Sequence, residues 1–190
     1  MGWSPGVGCT LAAVVSEQHV EQALEAASEQ ERVEALMMEF ATEQTPAVQY
    51  FYTDGFSLLT EAEREYLQYL GLVVYTAAKR TYGQMPELAA EDLERWDELA
   101  WTWMQDSVGK PWAQRLDIFF SEIDEEELLA FAEDALHAPD DKEDNHESDG
   151  EESDEQLLFD SSPSRELAFV GLAVLIGALH EASAEQIAKR

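Results

Sequence analysis

The chain has 190 residues, 45% of them hydrophobic, and a formal net charge of −30 at pH 7. This length suits one self-sufficient core, and the apolar fraction excludes a generally disordered chain. The negative field repels nucleic acid and anionic membrane surfaces, so direct DNA or RNA binding is the function that composition excludes most firmly.

The N-terminal residues 1–15 are mildly apolar but carry no Lys or Arg ahead of the apolar run. We therefore expect no signal peptide here, and we interpret this stretch as flexible. The single cysteine, Cys9, cannot form an intramolecular disulfide. Nothing in this cysteine usage indicates an oxidising compartment, so we expect a cytoplasmic location.

Residues 16–137 predict one helical domain, because helix caps and apolar residues at 3.6-residue spacing recur along it. Ser16 is expected to cap a first helix that ends near Ala27. Ser28 and Glu31 then have the spacing of a capping box, in which each side chain bonds the free backbone N–H of the other. A second helix should follow directly.

The clearest predicted helix runs from Thr60 to about Tyr82. Thr60 and Glu63 form a second capping box, and Gly83 can supply the left-handed stop. Between these ends, Tyr69 to Ala78 carries no charge. We expect this stretch to lie deep in the core, because a helix that is apolar all round is normally buried.

Further helices are predicted by the same signals: from Thr45-Pro46 to about Asp54, over residues 90–106, from Pro111, after Asp124, and from Ser162-Pro163 to about Ala182. No stretch shows sustained β alternation bounded by turn residues. The predicted fold class is therefore all-α, a single bundle of seven or eight helices.

Residues 138–156 differ in kind, with ten acids, one lysine and no aliphatic or aromatic side chain larger than alanine. Such a segment has nothing to bury that would offset the entropy of ordering it. We predict a disordered acidic linker over residues 138–161. It is an insertion, because a final apolar helix (162–184, then a tail over 185–190) must dock back into the domain.

The most apolar run, Leu167 to Leu179, has 13 uncharged residues. Spanning a bilayer takes roughly 20, so we predict the buried centre of a bundle and no membrane span. Glycines interrupt the two most apolar helices at Gly71, Gly171 and Gly177, where each costs about 1 kcal/mol against alanine. Close approach of these two helices is the favoured reason. The alternative is a small-molecule cavity, lined by Leu72, Val73, Phe169 and Leu175.

Signatures of catalysis and metal binding are weak. The four histidines, His19, His137, His146 and His180, fall on different predicted elements. Glu-x-x-His spacing, which di-iron bundles use on inward helix faces, occurs only at Glu143 and His146 in the linker. The chain also lacks a Gly-x-Ser-x-Gly nucleophile motif and a phosphate-binding glycine loop. We predict no catalytic, cofactor-binding or metal-binding residues.

Aromatic residues that lie off the inward, apolar face of their helix indicate an interaction surface. Trp96 and Trp103 share one helical face, whereas Trp101 points about 140–160° away from them. An indole in that position either packs under another element or is exposed, and exposed tryptophans are favoured interface anchors. Tyr50, Phe51 and Tyr52 cannot all face one way. Trp101, Tyr50 and Tyr52 are therefore the candidate interaction residues.

These patterns favour a non-enzymatic protein–protein interaction module: an adaptor, regulator, chaperone-like protein or inhibitor with a protein partner, for which the charge favours a basic one. Two alternatives stay open. One is a nucleic-acid mimic whose acidic linker occupies a basic groove, and the other is an enzyme or ligand carrier with an unrecognised site in the bundle. Adaptation to a saline cytoplasm is a separate explanation of the charge, which four lysines against 41 acids would suit.

Overall fold

A computed structural model describes residues 13–136, Phe159 and residues 161–189. Over these residues the fold is all-α, with eight α-helices, one short 3₁₀ turn and no strand, which confirms the predicted fold class. The helices are α1 (Glu17–Ser28), α2 (Gln30–Glu43), α3 (Thr45–Tyr50), α4 (Glu61–Tyr82), α5 (Ala90–Asp106), α6 (Trp112–Glu122), α7 (Glu126–Leu136) and α8 (Ser162–Ala188), with the 3₁₀ turn at Asp54–Phe56. Of the stretch predicted to be flexible (1–15), residues 1–12 lie outside the described residues, as do residues 138–158 and 160 of the predicted linker (138–161). Val15 and Phe159, which are described, are buried in the hydrophobic core.

Helix α8 docks back into the bundle, where it packs against α4, α5 and α7. Every residue from Leu167 to Leu179 is buried, as expected for a helix that is apolar on all sides. The helix continues to Ala188, beyond the end predicted near Ala182. Within this extension Glu185 pairs with Lys189 four residues on, a spacing that supports helical geometry.

By length and composition α8 could also cross a membrane, and 78% of its most apolar 18-residue window is buried inside the fold. The buried centre of a bundle passes the same test of length and hydropathy as a membrane span. Its burial against three helices of the same chain agrees with a core helix. The absence of a membrane span stays a prediction.

The capping box of α4 forms as predicted. The Glu63 amide donates to Thr60 Oγ1 at 3.2 Å, and the Thr60 amide donates to Glu63 Oε2 at 2.7 Å. Gly83 follows the helix with φ of 77°, a left-handed conformation that side chains rarely adopt.

The capping box predicted at Ser28 and Glu31 is wrong. Ser28 is the last residue of α1, and its hydroxyl donates to the Glu25 carbonyl at 2.7 Å. A single residue, Glu29, separates α1 from α2 and takes the extended conformation of the N-cap. Ser28 therefore has helical geometry, in which its side chain cannot reach the free amides of the next helix.

Three glycines in α4 and α8 accommodate aromatic rings, and we call these positions the glycine notches. A Cβ at Gly71 would come within 2.9 Å of Phe51, and one at Gly171 within 2.8 Å of Phe56. At Gly177 the nearest ring would be that of Trp96, at 2.7 Å. Real Cβ atoms essentially never approach this closely.

The close approach predicted between the two helices is thus made chiefly by rings, although at Gly71 the Leu175 side chain of α8 would also lie 3.5 Å from an added Cβ. The rings come from outside the α4–α8 pair: Phe51 follows α3, Phe56 lies in the 3₁₀ turn and Trp96 lies in α5. The four residues suggested as a cavity lining, Leu72, Val73, Phe169 and Leu175, are all fully buried in the hydrophobic core cluster. The Phe169 ring packs edge-to-face against Trp112 and Phe119.

A buried amide fixes the connection that leads into α5. The Gln44 side chain is fully buried, and its Nε2 donates to the Pro86 carbonyl at 2.8 Å. Its Oε1 accepts from the Leu88 amide at 2.9 Å. These two bonds satisfy both ends of the amide, so the Pro86–Leu88 segment is held where α5 can present Trp96 to α8.

Candidate functional site

The three aromatic residues at positions 50–52 take different environments, as their succession requires. Phe51 is fully buried in its notch at Gly71, whereas 59% of Tyr52 is exposed. Tyr50 is half-buried, and its hydroxyl donates to the Asp97 carboxylate of α5. Burial and this bond raise the pKa of Tyr50. Of this run, Tyr52 is the residue that presents most of its side chain to solvent.

Trp101 is half-buried and packs against the hydrophobic core. Trp96 and Trp103, on the other face of α5, contact each other edge-to-face at 6.3 Å between ring centroids. Trp103 continues this array to Phe119 of α6. A role in partner binding for Trp101, Tyr50 and Tyr52 stays a prediction.

Glu125 forms a buried polar junction between four parts of the chain. It directly precedes α7 and is only 1% exposed. Its Oε2 accepts from the backbone amide of Val15 at 2.9 Å. Its Oε1 accepts from the hydroxyl of Tyr82 in α4 and lies 2.7 Å from Nδ1 of His180 in α8. We call these four residues the Glu125 junction.

The junction contains opposite charges when His180 is protonated. The bond to Glu125 raises the pKa of His180 above its ordinary value, and the nearby carboxylates of Asp124 and Glu181 add to this effect. Burial opposes it. A buried carboxylate is costly unless it is hydrogen-bonded and paired, and this one is both.

Sequence reasoning missed this junction. Glu125 lies in a run of four acids, Asp124 to Glu127, and no local pattern distinguishes the member that turns inward. His180 offered a partial signal, because it is the first polar side chain after the apolar centre of α8. Its partner could be identified only from the packing of α7 on α8.

A strongly acidic surface lies beside the junction. Helices α1 and α7 contact each other, and neither contains a Lys or Arg. Seven carboxylate side chains on or next to these helices are exposed, and we call them the α1/α7 acidic face: Glu17, Glu21, Glu25, Asp124, Glu126, Glu127 and Asp134. The first three follow one another at successive turns of α1, on one side of the helix.

The two helix starts enclose an open cleft of about 560 Å³. Four carboxylates, those of Glu17, Asp124, Glu126 and Glu127, line it together with Val14 and Val15. The cleft therefore combines a small apolar surface with concentrated negative charge.

The cations of the bundle are engaged elsewhere. Lys79 pairs with Glu39 and Glu43 across α2 and α4, and these bonds raise its pKa although burial opposes them. Arg115 pairs with Glu166, a largely buried ion pair between α6 and α8. In the described parts of the chain, no Lys or Arg forms an ion pair with a carboxylate of the α1/α7 acidic face.

One further cation approaches α1. Arg80 of α4 lies near it, but the described bond of its guanidinium goes to the amide oxygen of Gln22 at 3.3 Å. An amide oxygen carries no formal charge, so this bond leaves the charge of the α1 carboxylates in place.

The histidines do not converge on a metal site in the described ranges 13–136, 159 and 161–189, where no group of three or more His, Cys, Asp or Glu side chains is placed to hold an ion. His19 bonds Thr81 at 2.8 Å, and His180 belongs to the Glu125 junction. His137 and His146 lie outside the described residues.

Comparison with other proteins gives no functional assignment. The chain matches no protein-family model, and neither curated proteins nor solved structures show significant similarity to it. The functional argument therefore rests on the chemistry of the α1/α7 acidic face and the residues beside it.

Proposed function

We propose that this protein is a non-enzymatic interaction module that binds a basic protein partner through the α1/α7 acidic face. The single observation that carries this proposal is the exposure of seven carboxylates on or next to two adjacent helices that contain no Lys or Arg. Charged surfaces of one sign steer oppositely charged partners and suppress wrong ones.

The charge of this face is not compensated within the described fold. Residues 13–136 contain 27 Asp and Glu against seven Lys and Arg. Several of those cations already pair within the chain, for example Lys79 with Glu39 and Glu43. A basic partner would therefore gain its attraction without first displacing a cation of the chain from an ion pair with this face.

The acidic segment adds to the same region along the chain. It begins two residues after α7 ends at Leu136, and its residues 138–156 contribute ten further acids and one lysine. A partner held at α7 would thus meet more negative charge immediately beyond it. This continuity supports a binding surface that the segment extends.

Matched charge variants test the location of the site. Glu17→Gln, Glu21→Gln and Glu25→Gln together remove three charges from the face. Glu91→Gln, Glu94→Gln and Glu98→Gln remove three from the exposed side of α5. Binding of a fluorescent dodecalysine peptide is measured by anisotropy at about 0.1 M salt, where charges more than about 10 Å apart are largely screened.

We expect the α1 variant to weaken binding at least about threefold more than the α5 variant, because a screened interaction depends on local charge. Equal losses of affinity in the two variants would mean that binding depends on the total charge of the protein, and the proposed face would be wrong. The α5 variant, which retains binding, and the α1 variant are then both used for affinity capture from source lysate. A specific partner is a protein that the α5 variant captures and the α1 variant does not.

A version lacking residues 138–156 separates this function from nucleic-acid mimicry. If the captured partner still binds after the deletion but does not bind the α1 charge variant, the result supports the proposed face. A partner that is lost on deletion and displaced by duplex DNA favours mimicry by the acidic segment, because both would then compete for one basic groove.

A further inference from the structure

The Glu125 junction attaches residues 13–15 to the bundle through a carboxylate that also bonds His180. Val15 is 1% exposed, and its amide donates to Glu125, 110 residues away in the chain. This contact precedes the first turn of α1, which begins at Glu17. This bond therefore fixes the backbone at Val15, whose side chain packs in the hydrophobic core.

The carboxylate is stabilised by its partners to different degrees. Tyr82 and the Val15 amide donate as neutral groups, whereas protonated His180 supplies the only positive charge among the three. When His180 loses its proton, a carboxylate that is 1% exposed has no opposite charge beside it. Its negative charge is then held by hydrogen bonds alone, and burying an unpaired charge is costly.

Three carboxylates near the ring favour the protonated histidine. Tyr82 faces it from α4, Asp124 and Glu125 from the start of α7, and Glu181 from α8 itself. Arg95 of α5 acts against them only indirectly, because its guanidinium is bonded to Glu181. On α1, the imidazole of His19 bonds Thr81, the residue before Tyr82, and has no carboxylate among its described partners.

We propose that the Glu125 junction is a pH-sensitive latch: it holds residues 13–15 against the start of α7 while His180 is protonated, and releases them when His180 loses its proton. The inference does not depend on the proposed binding function. Release would remove the apolar wall that Val14 and Val15 contribute to the cleft beside Glu126 and Glu127. The latch thus makes the N-terminal segment and the cleft respond together to pH.

The sign follows from the bond to Glu125, which raises the pKa of His180 in the folded chain. The stabilisation is therefore complete below the ordinary histidine pKa of 6.5 and is lost as the pH rises through the higher folded-state value. A latch of this kind closes at low pH and opens at high pH.

Amide exchange of Val15 in the full-length chain tests the latch directly. NMR follows its protection factor, the ratio of intrinsic to observed exchange rate, between about pH 5.5 and pH 9, a range that brackets the ordinary histidine pKa. The same samples give the titration of the His180 ring. We expect protection to fall roughly tenfold, the effect of losing one charge-assisted hydrogen bond, with a midpoint that coincides with the His180 titration.

Two variants and one internal reference complete the test. His180→Gln should give Val15 a low protection that no longer varies with pH, and the matched variant His19→Gln should keep the profile of the unchanged protein. The amide of Ala23, which is fully buried in α1, reports global opening.

Three results would overturn the latch. The protection factor of Val15 in the unchanged protein could fail to follow the His180 titration, or its pH profile could be unaltered in His180→Gln. The protection factors of Val15 and Ala23 could also fall in parallel. The first of these needs no substitution, so it holds even where His180→Gln fails to fold.

Discussion

Two regions hold α8 in the bundle, and they use different physics. At the glycine notches, rings of Phe51, Phe56 and Trp96 occupy space that a single Cβ would fill. At the Glu125 junction, one carboxylate forms hydrogen bonds with a backbone amide, a phenol and an imidazole. The first region depends on shape and the second on charge, so only the second should respond to pH.

The largest expected effect is the loss of a ring from a notch. Phe56 is 2% exposed, and Phe56→Ala should lower the free energy of unfolding by about 4 kcal/mol, through lost burial and the cavity left behind. Urea unfolding at pH 6 and pH 9 measures it. The loss should be the same at both pH values, and a difference between them would contradict a region that depends on shape alone.

A smaller loss is expected from Glu125→Gln, about 2 kcal/mol at pH 6, because an amide group replaces one of the two accepting oxygens. Here the loss should shrink at pH 9. The variant removes the bond that raises the pKa of His180, and that bond stabilises the fold only while the imidazole is protonated. Urea unfolding of both proteins at the two pH values gives the comparison. A loss that grows with pH would contradict the assigned sign.

Salt should affect the whole chain through its net charge of −30. If the acidity is an adaptation to a saline cytoplasm, the melting temperature should rise markedly from low salt to molar KCl, because the ions screen repulsion within the fold. Calorimetry over a KCl series measures the rise. A flat melting temperature would remove this explanation and leave partner binding as the reason for the charge.

The smallest effect is expected on the α1/α7 acidic face. Replacing Glu17, Glu21 and Glu25 by Gln should stabilise the fold by about 0.5 kcal/mol at low salt, because like charges one turn apart repel. The gain should disappear in 1 M KCl, where the screening length is about 3 Å. Urea unfolding at both salt concentrations checks it, with the α5 variant Glu91→Gln, Glu94→Gln and Glu98→Gln as the control. A gain that persists in salt would mean that helix propensity, and not charge, is responsible.

The helices were predictable because their signals are local. Thr60 and Glu63 lie three residues apart, and the run from Leu70 to Ala78 has no charge, so both cap and burial follow from short windows of sequence. Even a local signal failed at Ser28. The connection between α1 and α2 is one residue long, so Glu29 takes the N-cap position and Ser28 stays in α1.

The glycine notches and the Glu125 junction were not predictable in the same way. A glycine in an apolar helix indicates that something approaches closely, but Gly171 lies 115 positions from Phe56 in the chain. The role of Glu125 likewise depends on bonds to Val15, Tyr82 and His180, each in a different part of the chain. Partners of this kind are set by tertiary packing, which no short window of sequence contains.

We conclude that the ring and the glycine in each notch are matched in shape. A double-mutant cycle of Gly71→Ala with Phe51→Leu tests it most directly, because leucine lacks the ring atoms that a Cβ at Gly71 would meet at 2.9 and 3.3 Å. Urea unfolding gives the free energies. Gly71→Ala alone should destabilise by about 1 kcal/mol, because the overpacking cost exceeds the gain in helix propensity.

In the Phe51→Leu background the same substitution should stabilise by about 1 kcal/mol, the propensity gain without the clash. The sign of its effect therefore reverses, with a coupling of about 2 kcal/mol between the two positions. If Gly71→Ala has the same effect in both backgrounds, the ring does not explain the glycine and the claim is contradicted.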